Sequence, residues 1–560
     1  MITRREFLQT AAATAAIVPG GWPRAFAQQR LRQADLMRFD SLGNVTLVHI
    51  ADLHAQLVPV YFREASVNIG VGDAKGEAPH LTGAALLNRY GIAPESPEAY
   101  ALSADDFTAL ARAYGRMGGL DRIATVLAAI RAERGDKVVF LDGGDTWQNS
   151  YTSLVTKGQD MVDCMAMLRP DAMVGHWEFT LGADRIKELT QSLGFPFLAL
   201  NVRDTEWDEP VFPASTMLER GGIRLAVLGQ AYPYTPIANP RWMIPNWSFG
   251  IREDEVRTEV EKARAAGAEL VVLLSHNGFD VDRKLAGRVA GIDVVLTAHT
   301  HDALPAIVKI GRTLLVASGS HGKFVSRLDL DVRGGEVKDY RYKLIPIFAD
   351  AIAPHPAVAA KVAAVRAPYL AHLSEVIGRA GALLYRRGNF NGTLDDVICD
   401  ALLAERDAEI ALSPGVRWGA SLLPAQAITR EDIYNATAIT YPAAYRTAMS
   451  GARLKEILED IADNLFNPDP YYRQGGDMVR VGGIAYTIDV AQPIGRRISQ
   501  LRLLRTGAAI DAGRDYVVAG WGSVNEDAHG PAIWDVVASY IAARGEVAPA
   551  TSGHVTVAGG

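Results

Sequence analysis

Two aspartates and five histidines supply the donor atoms for a pair of metal ions: Asp52, His54, Asp145, His176, His276, His299 and His301. Each stands at or just past the end of a strand-like run. In Asp52-Leu53-His54 the donors are two positions apart on an extended segment, so both point to one side and reach one ion. In Asp142-Gly143-Gly144-Asp145 the glycines permit a tight turn that brings Asp145 to the same rim, where its carboxylate can bridge two cations. His276 ends another apolar run, and His299-Thr300-His301 is a chelating pair at the end of a further one. A lone histidine is ordinarily a surface or satisfied core residue. Five of the chain's 12 histidines, all at loop starts after strands, are a pattern. Two divalent ions roughly 3.5–4 Å apart, bridged by a carboxylate, lower the pKa of a shared water and neutralise an anionic substrate. Mixed nitrogen and oxygen donors without thiolate suit Mn²⁺, Zn²⁺, Fe or Co²⁺ and argue against a cysteine-type structural zinc site. The implied chemistry is two-metal hydrolysis.

Donors so far apart in sequence need strands that end together. Apolar runs at 45–50, 137–141, 197–200, 225–228, 270–274, 294–296 and 314–317 read as those strands. Between the first two lies an insertion, 58–116, rich in Gly, Pro and Tyr and without clear periodicity until 104–114. Residues 119–134 form an amphipathic helix with Leu120, Ile123, Val126, Leu127 and Ile130 on one face. Strands alternating with helices predict an α/β layered domain. A long helical pattern at 354–379 reads as a connector, and an aromatic, turn-rich second domain follows at 381–560.

A chain of 560 residues exceeds one ordinary core, which also favours two domains. With 49% hydrophobic and 22% charged residues it is a soluble globular type. A net charge of −7 without a Lys/Arg stripe offers nucleic acid nothing to bind. Residues 1–27 carry Arg4-Arg5, a short apolar run and Ala25-Phe26-Ala27, the pattern of a twin-arginine export signal, hence a periplasmic protein. The run is too short to span a bilayer, and no later stretch does. That route carries folded proteins and suits one that takes up metal first. The two cysteines, Cys164 and Cys399, sit in apolar helical patterns and read as buried free thiols.

In chain order, D-x-H, G-G-D, the block Gly175-His176-Trp177-Glu178-Phe179-Thr180, a strand-end histidine and H-x-H resemble the calcineurin-type metallophosphoesterases. With the Ser318-Gly319-Ser320-His321 segment and the second domain, nearly the whole mature chain resembles the 5′-nucleotidase superfamily. The resemblance implies a four-layer αββα metallophosphoesterase domain at 45–348, a linker helix at 354–379 and a C-terminal α+β substrate domain at 381–560. Nucleotidases of this superfamily usually carry Gly-Asn-His-Glu-Phe-Asp, in which Asn binds metal and His and Asp form a dyad at the phosphate. Here His176 takes the ligand slot, Trp177 replaces the dyad histidine and Thr180 the dyad aspartate. That block, with Ser413-Pro414-Gly415-Val416-Arg417-Trp418 and the 464–477 segment ending in Gln474-Gly475-Gly476-Asp477, is similar to the SoxB family, the sulfohydrolases of bacterial thiosulfate oxidation. It implies two Mn²⁺ ions, with Zn²⁺ the alternative. The substrate would be a cysteine-bound S-sulfonate on the SoxYZ carrier, with sulfate released by hydroxide attack on the sulfonate sulfur. The expected form is a monomer not inserted in the membrane.

Within that frame Arg417 is expected to clamp the sulfonate bidentately. Trp177 would wall a channel, and Asn201, following a strand, would contact an ion or the oxyanion. Their plain alternatives are a salt bridge, core packing and a backbone cap. Trp418, Tyr471 and Tyr472 are candidates to line a groove for an extended peptide, and Arg63 and Arg473 to touch the carrier. The missing dyad suits the leaving group: a nucleoside alkoxide needs protonation, whereas a persulfide or thiolate is a far weaker base. Two other readings compete. A periplasmic 5′-nucleotidase or UDP-sugar hydrolase would keep the dyad, and a non-catalytic exported binding protein would have lost ligands.

Overall fold

The computed structural model describes residues 31–549 and 553–558, so the expected export signal at 1–27 lies outside the described residues. Strand Val45–Ile50 is buried at every position, as expected of a strand covered on both faces, and its two polar members, Thr46 and His49, are hydrogen-bonded to Asp329 and Ser318. It lies parallel to Val138–Asp142, which lies parallel to the short Ala172–Met173; two antiparallel strands, Phe324–Arg333 and Glu336–Pro346, complete this five-stranded sheet. A second sheet of six strands runs Val308–Ile310, Thr313–Ala317, Val294–Thr297, Leu270–Ser275, Ile223–Gln230, Ser215–Arg220, with the middle four parallel.

The sheets pack face to face. Alternate residues Val45, Leu47, Val139 and Leu141 meet Leu225, Val227, Val272 and Leu274 between them. On the outer faces, Val48 and Ile50 pack with helix Leu120–Arg134, while Val271 and Leu273 pack with helices Glu253–Ala265 and Phe279–Arg288. This is the four-layer αββα arrangement. The second domain has a four-stranded sheet built on Ile410–Ser413, covered by helix Thr393–Glu405 and linked to smaller three-stranded sheets. Both free cysteines are buried, Cys164 in helix Gln159–Leu168 and Cys399 in Thr393–Glu405. Among the described residues no helix is long and apolar enough to cross a membrane.

Three expectations are corrected. The connector is not one helix over 354–379. An α-helix spans Pro356–Arg366, a tight turn follows at Ala367–Tyr369 and one helical turn at Leu370–Leu373. Pro368 interrupts the ladder because it has no N–H to donate, and Val376–Ala380 is a strand pairing with Ala427–Thr429. The insertion holds helices earlier than its periodicity suggests: Gly83–Tyr90 and Pro97–Leu102 precede Phe107–Tyr114. Burial from several sides erases an amphipathic signal in the second, whose start is set by Pro97 and by the Ser96 side chain capping Ala99 N–H. Residues 197–200 are not a ladder strand; they pair beside Met173 through a single bridge at Phe197.

Candidate metal centre

The seven predicted donors converge on one rim, where the parallel strands of both sheets end. Asp145, His176, His276 and His299 form one group of donor atoms, and Asp52, His54, Asp145 and His301 another, each within 4.8 Å. Asp145 belongs to both, as a bridging carboxylate must. Its Oδ2 lies 3.1 Å from His276 Nε2 and 3.7 Å from His54 Nε2, and its Oδ1 lies 3.5 Å from His176 Nδ1. Asp52 Oδ1 is 3.6 Å from His301 Nε2.

The donor set fits two divalent cations on an observation of its own. His276 gives Nδ1–H to the Gly143 carbonyl at 2.6 Å, and His176 turns Nε2 to Asn239 Oδ1 at 3.0 Å. The other ring nitrogens, His276 Nε2 and His176 Nδ1, are buried, make no well-formed hydrogen bond and face Asp145. Buried ring nitrogens left without a partner this way are costly. Anchoring one imidazole nitrogen and freeing the other is how a metal ligand is held.

The backbone is bent to present these atoms. Asp52, His54, Asp145, His299 and His301 all have positive φ, between 48° and 76°. In non-glycine residues such conformations cost about 1–3 kcal/mol each and persist only where the surroundings enforce them. Here the loops enforce one another: Asp52 N–H bonds the Gly144 carbonyl at 2.9 Å, His54 N–H the Asp145 carbonyl at 2.7 Å, and His299 N–H the Asp52 carboxylate at 3.0 Å. Behind them, the buried Glu178 carboxylate accepts N–H groups of Thr146 (2.6 Å), His176 (2.9 Å) and Trp147 (3.2 Å). Asp282 ties two strand ends together, accepting from Ser275 Oγ at 2.7 Å and Thr297 Oγ1 at 2.5 Å.

Burial, more than any neighbour, sets the protonation of His54, His299 and His301. It pulls His54 down to about 4 and places His299 and His301 well below their usual range, leaving them neutral, the form that ligates metal. Burial also opposes charge on His276, but Asp145 and Asp52 outweigh it and raise that pKa to about 10. Asp52 is pushed up by burial and by Asp145, with His276 only partly compensating. Without cations the centre holds unfavourable charge.

The centre opens into a cleft of 960 Å³ between the domains. Arg417 lines it, 12% exposed, donating to the Gly476 carbonyl and lying 3.4 Å from the His299 carbonyl. Trp177 lines it too, edge-on to Trp418 at 4.6 Å and parallel to Tyr441 at 6.2 Å. The third expected residue, Asn201, does not. Its amide donates to the Ala231 and Gly250 carbonyls and accepts from Ala231 N–H, so it acts as the backbone cap and belongs to neither donor group. Trp418 is on the wall, whereas Tyr471 and Tyr472 are not: Tyr471 hydrogen-bonds Glu253 at 2.8 Å under Lys284, and Tyr472 is exposed. Arg63 stacks on Tyr385 at 4.1 Å, and Arg473 is buried against Asp280. Sequence reasoning missed Tyr232, whose ring lies 4.0 Å from His176 and 4.3 Å from His299. It also missed Glu178, Asp282 and Asn239. Glu178 stood inside a recognised block; nothing local marked the others.

Comparison with known proteins places this geometry. The 5′-nucleotidase C-terminal domain family matches residues 373–530. The chain is 25% identical over 454 residues to mouse 5′-nucleotidase, covering 72% of this chain and 75% of the relative. It is 24% identical over 515 residues to the snake venom 5′-nucleotidase of Naja atra, covering 79% and 93%. Among solved structures, the sulfate thiohydrolase SoxB of Thermus thermophilus superposes with a TM-score of 0.90 at 37% identity, covering 93% of this chain and 98% of that one. A 5′-nucleotidase precursor from Thermus thermophilus shares the fold, with a TM-score of 0.72 at 22% identity over 92% and 100%.

Proposed function

The chain belongs to the 5′-nucleotidase family of hydrolases, and from that premise we propose that it releases sulfate from a cysteine-bound S-sulfonate on a SoxYZ-type carrier in the periplasm, with two Mn²⁺ ions as cofactor. The observation that carries this reading is the 176–180 block. At the positions where nucleotidases of the superfamily keep an imidazole–carboxylate dyad, an indole packs between Trp418 and Tyr441, and the Thr180 hydroxyl donates to the Trp177 carbonyl at 2.7 Å. The cleft wall there is aromatic and carries no imidazole–carboxylate pair to protonate a leaving group. The 37% identity to a sulfate thiohydrolase, along nearly its full length, supports the same substrate class.

Asp145, His176, His276 and His299 would hold one ion and Asp52, His54, Asp145 and His301 the other. When bound, the ions supply an acidified water and positive charge opposite the sulfonate. The protein's own residues do the rest. Arg417, largely buried beside Asp477 and donating to the Gly476 carbonyl, would turn its remaining N–H groups to sulfonate oxygens. Trp177, Trp418 and Tyr441 hold the carrier sulfur in an apolar sleeve. The water oxygen bonds to the sulfonate sulfur, the S–S bond breaks with its electron pair on the carrier sulfur, and sulfate and a proton leave. The departing sulfur anion, a thiolate from an S-sulfonate or a persulfide from an S-thiosulfonate, needs no general acid.

The test is direct. Mature protein with Mn²⁺ is expected to release sulfate from a carrier S-sulfonate and little phosphate from AMP; phosphate alone overturns the assignment and supports a nucleotidase. The Trp177→His, Thr180→Asp double variant is expected to gain phosphoesterase activity, and no gain counts against the leaving-group argument.

A further inference from the structure

One segment of the second domain reaches across the cleft and touches a metal donor. Residues 467–477 form a strap over the first domain. Lys284 pairs with Asp469 at 2.5 Å and lies 4.0 Å over the Tyr471 ring; Tyr471 donates to Glu253; Arg473 pairs with Asp280; and Tyr234 donates to the Tyr471 carbonyl. At its end Gly475 and Gly476 have φ of 73° and 79°, and this double left-handed turn aims the Gln474 carbonyl at the centre. His299 Nε2 lies 2.9 Å from that oxygen, and Tyr232 donates its hydroxyl to the same oxygen at 2.6 Å. A carbonyl only accepts, so Nε2 carries the proton and Nδ1 is left as the metal donor. Gly475 is pressed so closely that a Cβ there would sit 2.6 Å from His299 Nε2. Among the described residues no hydrogen bond joins the strap to Asp52, His54 or His301.

We propose that the strap is a positioning device for one of the two ions: the Gln474 carbonyl, with Tyr232, sets the tautomer and orientation of His299, so that loading of the Asp145/His176/His276/His299 site is coupled to docking of the second domain. The inference rests on the two-metal reading above. By linkage the coupling runs both ways: domain docking raises the affinity of that site, and the ion filling it holds the strap down. The other site has no donor hydrogen-bonded to the strap, and it feels the strap only at second hand, through the shared Asp145 and the Asp52 carboxylate that accepts the His299 N–H. Such outer contacts are worth about 10–100-fold in metal affinity.

The experiment is calorimetric titration of the metal-free full chain with Mn²⁺, read as two binding steps. Tyr232→Phe, which keeps the ring and removes the tether, and Gly475→Ala, which crowds His299, are each expected to weaken one step about 10–100-fold while the other stays near wild type. Lys284→Ala, remote from every donor, is expected to weaken the same step by a smaller factor. Hydrogen exchange across 467–477 is expected to slow on metal addition in the wild type and less so in Tyr232→Phe. Steps that are unchanged, or both weakened alike in Tyr232→Phe, overturn the inference while leaving the two-metal reading intact. A wild-type chain that binds fewer than two ions overturns both. Because no sulfonate enters the measurement, failure of the sulfate assay leaves it untouched.

Discussion

At the scale of single residues, the centre is a set of costs that cations repay. Two carboxylates and five imidazoles are buried together, five of the seven on left-handed backbone. Asp52 shows the cost plainly: burial and the neighbouring Asp145 charge both disfavour its ionised form. Asparagine tolerates left-handed backbone and can still accept the His299 N–H, but brings no charge. Asp52→Asn is therefore expected to melt above the wild type when both are metal-free, and to lose much of the rise that Mn²⁺ produces in the wild type. Thermal melts with chelator and with Mn²⁺ check this; a metal-free variant that melts lower would show that the Asp52 charge stabilises the empty centre. The exchange of stability for function here follows from charge repulsion and burial, both of which depend on neighbours far off in sequence.

At the scale of elements, the donors are good only because the loops carrying them are cross-tied. Glu178 gathers three N–H groups from two loops, one holding Asp145 and the other His176. Glutamine offers one acceptor oxygen where the carboxylate offers two, so at least one buried N–H in Glu178→Gln loses its partner, at about 1–3 kcal/mol. The expected result is a lower urea midpoint at unchanged m-value together with weaker metal binding, measured by denaturation and by metal content after dialysis. A variant of wild-type stability would mean that Glu178 only fills space. The elements themselves were largely legible. The runs at 270–274 and 294–296 show themselves because strands buried on both faces are near-continuously apolar, and 45–50 does so although Thr46 and His49 interrupt it. The strand ending the connector, Val376–Ala380, did not, because its apolar residues at helical spacing mimic a helix until a partner strand is present.

At the scale of the molecule, the centre lies between two sheets and under a second domain, so ligand binding is folding energy for all three. Ions that bind only the folded chain stabilise it by about 2.7 kcal/mol at a hundredfold excess over Kd. The melting temperature of the metal-free chain is thus expected to climb steadily with Mn²⁺ concentration, by a few degrees per hundredfold for a chain of this size. Calorimetric scans across a Mn²⁺ series test it, and a melting point blind to the ion would contradict a structural role for the centre. The cleft is likewise a property of the whole: Trp177 comes from the first domain and Arg417, Trp418 and Tyr441 from the second, and neither half alone makes the sleeve.

By itself the sequence determined the donor set, the layered α/β class and the division into two domains. Residue types and local periodicity encode these, a metal's demand for particular donors leaves few alternatives, and the resemblance to nucleotidases marks the departure at Trp177 and Thr180. Only the tertiary structure decided that Asn201 is a backbone cap, that Tyr471 and Arg473 pin the domains instead of lining the cleft, and that Tyr232 and the Gln474 carbonyl hold a metal donor. A side chain's type states what it can bond. Which partner it meets depends on chain returning from one or two hundred residues away, and a backbone carbonyl, present at every position, leaves no mark in the sequence at all.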